Sequence, residues 1–116
     1  MFANSKYHAK KTTIDGITFD SQMEAKRYLQ LKDMGVENLQ RQVAYVLIDK
    51  SKYGRDIKYV ADFVYDLEGS QVIEDVKGFR TPVYSLKKRL MAERYDIVIN
   101  EYPPKRKKSK KGSKKK

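Results

Sequence analysis

The fold is decided by two neighbouring stretches of sequence, YVADFVY at residues 59–65 and VIEDVKG at residues 72–78. Both have the β-branched and aromatic composition of buried strands, and the short turn around residues 68–70 predicts that they pair as a hairpin. Each stretch also carries charge where a core strand is expected to carry none. A buried charge is costly unless it is paired or binds a metal, so these charges indicate a site for chemistry.

The second stretch places its charges by strand alternation. Because successive side chains point to opposite faces of a sheet, Asp75 and Lys77 share one face. Glu74 falls on the opposite face, which makes it a structural ion-pair partner rather than a ligand. A bulge in this strand would exchange the roles of Glu74 and Asp75.

The first stretch contributes Asp62, which we expect in mid-strand on one face with Val60 and Val64. Pairing of the two strands would bring Asp62, Asp75 and Lys77 together at one end of the sheet. Two carboxylates and one ammonium group at a single point are the nucleus of the predicted site.

Turn, cap and strand signals outline the rest of the chain. They predict a hairpin around Asp15–Gly16, a helix capped by Asp20 or Ser21 that runs to about Met34, a strand at 41–48, a polar loop at 49–56, a helix from Pro82 to about Tyr95 and a strand at 96–102. The predicted fold is therefore α/β in the α+β sense, with a mixed β-sheet flanked by two helices. Its order is α-β-β-β-α-β after an N-terminal hairpin.

The first helix adds a third carboxylate. Glu24, Tyr28 and Leu31 recur at helical spacing and form one stripe, so Glu24 shares the face that packs on the sheet. The alternative is a glutamate at the rim of the helix, paired with a neighbouring lysine or arginine. Beside the charged strands, we favour a place for Glu24 in the site.

Oxygen ligands of this kind suit Mg²⁺ or Mn²⁺ rather than zinc. A divalent cation with Lys77 beside it can activate water and stabilise negative charge at phosphorus, which is sufficient for phosphodiester hydrolysis. Acyl transfer is disfavoured because the chain has no Ser/His/Asp set. Its single histidine, His8, lies in an irregular segment and lacks an orienting partner.

Four motifs in order carry a resemblance to a known family, namely KYHAKK at 6–11, FDSQMEA at 19–25, YVADF at 59–63 and DVKG at 75–78. Together they resemble the PD-(D/E)XK superfamily of restriction-endonuclease-like nucleases. The likeness is greatest to small phage-encoded endonucleases grouped with Holliday-junction resolvases. The predicted element order over residues 21–102 is similar to the core of that superfamily.

The resemblance implies a role for each matching position. Asp62 and Asp75 would be metal ligands, Lys77 the catalytic lysine, and Glu24 an accessory acid that also contributes to the metal site. Gln42 would lie near the site, since related nucleases often place a glutamine there. The implied cofactor is Mg²⁺ or Mn²⁺, and the implied host compartment is the cytoplasm of a bacterial cell infected by a phage.

The second helix and the chain ends supply candidate DNA contacts. Leu86, Leu90 and Tyr95 are the expected core positions of the helix, whereas Lys87 and Lys88 are expected on a DNA-facing surface. The alternative for these lysines is an ordinary solvated face. The other candidate contacts are Lys10, Lys11, Lys105, Arg106, Lys107 and Lys108.

Charge is unevenly distributed along the 116 residues, whose formal net charge is +11. Nine of the 26 basic residues lie in 103–116, so 17 basic and 15 acidic residues remain in 1–102. We expect a nuclease domain over 1–102 and a disordered basic tail over 103–116 that binds DNA. A solubilising or appended end is the alternative.

Composition excludes several classes of protein. With no cysteine, neither a disulfide framework nor a thiolate zinc site is possible. No apolar run approaches the roughly 20 residues that span a bilayer, and no signal-peptide core precedes the first motif. We therefore expect a cytoplasmic protein with no membrane partner.

Two classes of function remain. The first is a Mg²⁺-dependent endonuclease acting on branched duplex DNA, for which two symmetric cuts predict a C₂ homodimer. A nuclease that nicks or processes other phage or host DNA belongs to the same class. The second is a non-catalytic DNA-binding protein in which the carboxylate cluster is structural.

Overall fold

The computed structural model describes residues 11–77 and 80–104 of the chain. Within these ranges the protein is α+β, with a four-stranded mixed sheet, a two-stranded hairpin and two helices. The elements are β1 (Thr12–Ile14), β2 (Ile17–Phe19), α1 (Gln22–Met34), β3 (Glu37–Ile48), β4 (Ile57–Leu67), β5 (Ser70–Val76), α2 (Pro82–Tyr95) and β6 (Asn100–Tyr102). The predicted fold class and element order are confirmed.

The main sheet has the order β3-β4-β5-β6, in which only β5 and β6 run parallel. Strands β4 and β5 form the predicted hairpin, with Phe63 opposite Glu74. Their turn contains Glu68 and Gly69 at φ values of 50° and 84°. Positive φ at both central residues matches the twist of paired strands, so this turn fixes the register that positions the charged residues.

Side-chain caps begin both helices where the sequence predicts them. Ser21 Oγ accepts a hydrogen bond from the backbone N–H of Glu24 at 3.0 Å, and Thr81 Oγ1 accepts one from that of Tyr84 at 3.1 Å. Gly35, with a left-handed φ of 72°, ends α1. These caps hold Glu24 and Tyr84 in the first turns of their helices.

Each helix covers its own hydrophobic core. The α1 core contains Phe19, Ala25, Tyr28, Leu31, Phe63 and Tyr65. The α2 core contains Leu47, Tyr59, Ala61, Val64, Ile73, Tyr84, Met91 and Ile99. Neighbouring residues of β5 contribute to different cores, because Val72 packs against the first and Ile73 belongs to the second. The sheet therefore lies between two apolar layers.

The prediction of the α2 core was partly wrong. Leu86 is 59% exposed and Tyr95 38% exposed, whereas Tyr84 and Met91 are buried and Leu90 is partly buried. Tyr84 and Met91 are seven residues apart and share a face, and Leu86 lies two positions from Tyr84, on the far side of the helix.

Two predicted strand boundaries were also wrong. Strand β3 begins at Glu37 rather than at residue 41, because its polar first half still pairs with β4. Strand β6 spans only Asn100–Tyr102, although the strand was predicted from Asp96 and its apolar run begins at Ile97. In that run Ile99 is buried in the α2 core and Ile97 packs against it. These side chains therefore pack in the core, although the backbone there is not part of strand β6.

Strand β3 changes face at Gln42. Leu39 packs in the α1 core and Arg41 lies over the ring of Phe19, whereas Val43 and Tyr45 pack against the α2 core. Alternate residues of a regular strand would all point the same way. Gln42 has a left-handed φ of 53°, which turns the strand over.

Strand β4 changes face at the same level. Ala61 and Val64 lie in the α2 core, whereas Phe63 lies in the α1 core. The expectation that Asp62 shares a face with Val60 and Val64 was therefore wrong, and Val60 is 44% exposed. Asp62 lies at the exchange itself, where the simple alternation rule does not apply.

Neither helix in the described ranges is both long enough and apolar enough to cross a membrane.

Candidate functional site

The site begins where β4 and β5 separate. Their backbone pairing extends from the hairpin turn to Phe63 and Glu74. Beyond that level the backbone N–H of Val76 donates a hydrogen bond of 2.8 Å to Asp62 Oδ2. The carboxylate therefore takes the place of a backbone acceptor, which fixes Asp62 beside β5.

Asp75 is the most enclosed acid of the site, with 4% exposure. Its Oδ1 accepts a hydrogen bond of 2.7 Å from the hydroxyl of Tyr59. Its Oδ2 is buried without a hydrogen-bond partner, and Lys77 Nζ lies 3.4 Å away. Burial raises the pKa of Asp75, and the hydrogen bond from Tyr59 opposes that rise.

Lys77 lies between this carboxylate and an aromatic ring. Its Nζ is 4.4 Å from the ring centroid of Tyr84, and the Tyr84 hydroxyl donates a hydrogen bond of 2.8 Å to Glu101 Oε2. Asp75 is the register partner of Glu101 on β6. The ammonium group is thus placed by neighbours from β5 and α2.

Glu24 contacts the site from α1. Burial, followed by repulsion from Asp62 and a hydrogen bond with it, raises the pKa of Glu24 to about 7. On the other side, Gln42 Nε2 lies 3.4 Å from Asp62 Oδ1 as a long hydrogen-bond donor. Asp62 therefore links the helix glutamate, the β3 glutamine and the β5 backbone.

These groups line an open cleft of about 400 Å³. Its walls are formed by Glu24, Lys58, Tyr59, Val60, Asp62, Asp75, Val76, Lys77, Thr81, Val83, Tyr84 and Lys87. All four residues predicted as catalytic are thus brought together, with Lys87 from α2 beside them. A lining that contains both carboxylates and lysines suits a phosphate ligand with a cation.

The predicted convergence of three carboxylates on one point is not seen. Within residues 11–77 and 80–104, no group of three Asp, Glu, His or Cys side chains is arranged to hold a metal ion. The acids meet in pairs instead, Glu24 with Asp62 and Asp62 with Asp75. Asp75 Oδ2, which accepts no hydrogen bond, and the repulsion between Glu24 and Asp62 both favour a cation, and Mg²⁺ takes only one or two carboxylates directly.

Other predicted residues have different surroundings. Glu74 is the structural ion-pair partner that the alternation predicts, since Arg27 contacts it at 2.8 Å and Tyr65 donates to it at 2.7 Å. Strand β5 keeps a regular register with β4, so no bulge exchanges Glu74 with Asp75.

Lys88, a predicted DNA contact, forms an ion pair with Glu101, because its Nζ lies 2.9 Å from Glu101 Oε2. Arg80 and Tyr84 also bind this carboxylate. Lys11 is exposed. The remaining predicted contacts, Lys10, Lys105, Arg106, Lys107 and Lys108, lie outside the described residues.

Three residues that support the site were not predicted from the sequence, namely Tyr59, Tyr84 and Glu101. The hydrogen bonds of Glu101 with Arg80, Lys88 and Tyr84 outweigh the effect of its burial and lower its pKa to about 2. A signal for Tyr59 existed, since a tyrosine in a buried strand needs a partner for its hydroxyl. Which acid it would meet depends on the face exchange in β4.

Comparison with known proteins gives one family. A family model described as "Protein of unknown function (DUF1064)" matches residues 4–111. No curated protein and no solved structure matches the chain.

Proposed function

The chain belongs to the DUF1064 family, whose description names no activity, and we propose that it is a Mg²⁺- or Mn²⁺-dependent endonuclease that hydrolyses phosphodiester bonds of DNA. The proposal agrees with the resemblance of its motifs to the PD-(D/E)XK nucleases. It assigns Asp62 and Asp75 as metal ligands, Glu24 as an accessory acid and Lys77 as the catalytic lysine.

One observation carries the proposal. Asp75 Oδ2 is buried, lacks a hydrogen-bond partner and lies 3.4 Å from Lys77 Nζ in an open cleft. Lys77 meets this oxygen only at ion-pair distance, and a buried carboxylate oxygen that accepts no hydrogen bond is uncommon in a folded protein. A divalent cation at this oxygen, with lysine beside it, would satisfy the carboxylate and supply two positively charged groups for a phosphate.

The metal would be held by Asp75 Oδ2 and by Asp62, with Glu24 able to contribute through a water or directly. When bound, such an ion supplies Lewis acidity that activates water and polarises the phosphoryl group. Burial, followed by repulsion from Asp62, raises the pKa of Glu24 to about 7, and a bound cation would relieve the repulsion. Metal binding should therefore release a proton from this acid pair.

The protein groups have separable tasks in hydrolysis. A water oxygen forms a bond to phosphorus and loses a proton to solvent, one bridging P–O bond breaks, and the departing oxygen takes a proton from solvent. Lys77 donates hydrogen bonds to the non-bridging phosphate oxygens, where negative charge increases in the transition state. Tyr59 and the backbone of Val76 hold the two aspartates in place.

Branched duplex DNA is the substrate that we favour. The cleft contains basic side chains, Lys58 and Lys87, that contact phosphate without reading base sequence. Paired cuts in a four-way junction would require a C₂ homodimer. The setting implied by the resemblance is phage recombination or replication in the bacterial cytoplasm.

A direct test incubates the pure protein with labelled four-way junction, flap, duplex and single-stranded DNA, in Mg²⁺, Mn²⁺ or EDTA. We expect metal-dependent cleavage with a preference for branched duplexes, and none by Asp75→Asn. Cleavage in EDTA, or equal cleavage by the variant, would contradict the assignment of the site.

A non-catalytic DNA-binding protein is the second candidate. The absence of a ready three-ligand group within the described residues favours it, as does the direct ion pair of Lys77 with Asp75. In that case no DNA would be cut with either metal. Asp75→Asn would then lower the stability of the protein, because it would leave the Lys77 ammonium group without its ionic partner. It would abolish no cleavage, since there would be none to lose.

A further inference from the structure

Arg41 has surroundings unlike those of the other described arginines. Four of these form ion pairs with carboxylates, namely Arg27, Arg80, Arg89 and Arg94. Arg41 is half-buried, lies 4.6 Å over the ring of Phe19 and has a buried Nε without a hydrogen-bond partner. Within the described residues no acid pairs with it.

A buried N–H without an acceptor costs about 1–3 kcal/mol. Such a group in a native protein usually has a missing partner, such as a water or an ion. Guanidinium binds phosphate oxygens through two parallel N–H groups, and stacking on an aromatic ring fixes its plane before the anion arrives. An oxyanion would supply the acceptor that Arg41 lacks.

The space next to Arg41 can accept such a group. A pocket of about 290 Å³ is lined by Ile17, Tyr28, Lys32, Val36, Leu39 and Arg41. It combines two cations with largely apolar walls. Among the described residues Lys32 pairs with one acid, Asp15, at 3.8 Å, and both side chains are about half exposed, so this pair is weak and leaves Lys32 able to bind a phosphate.

The pocket adjoins the cleft without being part of it. Burial and Asp62 raise the pKa of Glu24, and the charge of Arg41 opposes that rise, so Arg41 lies within electrostatic reach of the carboxylates. Arg41 is also the register partner of Phe63, the residue after Asp62. A chain of phosphates that passes the cleft could reach Arg41.

We propose that Arg41 and Lys32 form a second phosphate site, which binds a DNA phosphate other than the one hydrolysed and packs the adjoining sugar against the apolar walls. This inference rests on DNA being the substrate of the proposed function. It does not require that the protein cut DNA.

The test uses binding in EDTA, where no cleavage occurs. A short labelled duplex and a four-way junction are titrated with the full chain and with Arg41→Gln, Arg41→Lys and Lys32→Gln. Arg55→Gln is the matched control, because Arg55 is exposed, has no carboxylate partner within the described residues and lies in the loop beyond the far end of β3.

We expect Arg41→Gln to weaken binding about tenfold, the scale of a charged hydrogen bond. The slope of log affinity against log salt should fall by about 0.9, because one phosphate is no longer neutralised. Arg55→Gln should change both quantities less. Arg41→Lys should restore the slope but only part of the affinity, because lysine lacks the paired donors of guanidinium.

A second measurement reports on the atom itself. In NMR spectra the Nε–H resonance of Arg41, assigned by its loss in Arg41→Lys, should move when the duplex is added and move less with inorganic phosphate alone. An unmoved resonance, or equal losses of affinity for Arg41→Gln and Arg55→Gln, would overturn the second site. If the resonance shifts but the protein cuts no DNA in Mg²⁺ or Mn²⁺, the nuclease proposal is rejected and the second phosphate site is supported.

Discussion

Tyr59 and Asp75 form a buried hydrogen bond of 2.7 Å that occupies one carboxylate oxygen and leaves the other beside Lys77. The bond joins the two central strands on the side of the cleft. It determines which oxygen of Asp75 is available to a ligand.

Tyr59→Phe should therefore alter the site. Burial raises the pKa of Asp75 and the Tyr59 hydrogen bond opposes this, so loss of the hydroxyl should raise that pKa further. If Asp75 acts as the proposed metal ligand, its ionised form is the active one, so acidification should abolish cleavage by Tyr59→Phe at a higher pH than cleavage by the wild type. The measurement is the pH dependence of the single-turnover rate at saturating Mg²⁺.

Tyr65→Phe is the control for this change. Tyr65 also donates a buried 2.7 Å hydrogen bond to an acid, Glu74, but on the α1 side of the sheet. Both variants should lose about 1–3 kcal/mol of stability, as an unpaired buried acceptor costs. Only Tyr59→Phe should shift the pH dependence of the single-turnover rate. Equal shifts in both variants would show that the effect comes from a general loss of stability and not from the Tyr59–Asp75 hydrogen bond.

Asp62 has a structural role as well as a proposed catalytic one. Its Oδ2 accepts the backbone N–H of Val76, so Asp62→Ala leaves a donor without a partner and should cost about 1–3 kcal/mol. Asp62→Asn keeps an acceptor and removes the repulsion with Glu24, so its stability should equal or exceed that of the wild type. Urea unfolding and a cleavage assay measure both effects, and active Asp62→Asn protein would refute the ligand assignment.

Lys77→Ala separates chemistry from binding. If lysine stabilises charge that develops at phosphorus, the single-turnover rate should fall by about 10²–10³-fold while DNA affinity in Ca²⁺ changes little. Lys58→Ala is the control, since Lys58 lines the same cleft but is not assigned to the reacting phosphate. A loss of affinity with an unchanged rate would make Lys77 a phosphate anchor only.

Much of the fold could be predicted because its signals are local. Positive-φ turn dipeptides, Ser21 and Thr81 as caps, and Gly35 as a stop each act within a few residues. The shared face of Asp75 and Lys77 was also predictable, since the side chains of β5 alternate regularly between the two faces of the sheet. The burial of α2 was not, because which stripe of a helix faces the sheet is decided by tertiary packing.

The geometry of the site depends on an exchange of strand faces that the alternation of side chains cannot predict. Gln42 adopts a left-handed conformation that is uncommon for a residue with a side chain, and the faces of β3 and β4 exchange there. Asp62 consequently points along the sheet to Val76 rather than into either core. Tyr59 meets Asp75 for the same reason, so the supporting hydrogen bonds required the three-dimensional structure.

Glu101 should make stability depend on pH below neutrality. Its pKa is lowered from 4.5 to about 2 by hydrogen bonds that outweigh burial, so the folded state binds fewer protons than the unfolded state between these values. The stabilisation is complete above pH 4.5 and disappears as pH falls through about 2.

Glu101→Gln tests this directly. The wild type should exceed the variant by about 1–3 kcal/mol at pH 7, and the difference should shrink between pH 4.5 and pH 2. Denaturant unfolding at several pH values gives the two curves. A difference that does not change with pH would assign the effect to packing rather than to charge.

The basic C-terminal residues should increase the affinity of the protein for DNA. Removal of residues 105–116 deletes nine positive charges and none of the residues that line the cleft in the described part of the chain. If these charges bind DNA phosphates, the truncated protein should bind duplex, junction and single-stranded DNA more weakly by similar factors. The slope of log affinity against log salt should also fall by about 0.9 for each duplex phosphate that the truncated protein no longer neutralises.

Cleavage at saturating protein provides the control, since Glu24, Asp62, Asp75 and Lys77 all precede the truncation. The single-turnover rate should be unchanged once DNA is fully bound. An unchanged salt slope would show that these charges do not bind DNA. Loss of cleavage at saturation would show that residues 105–116 belong to the functional unit, which the family match through residue 111 would then explain.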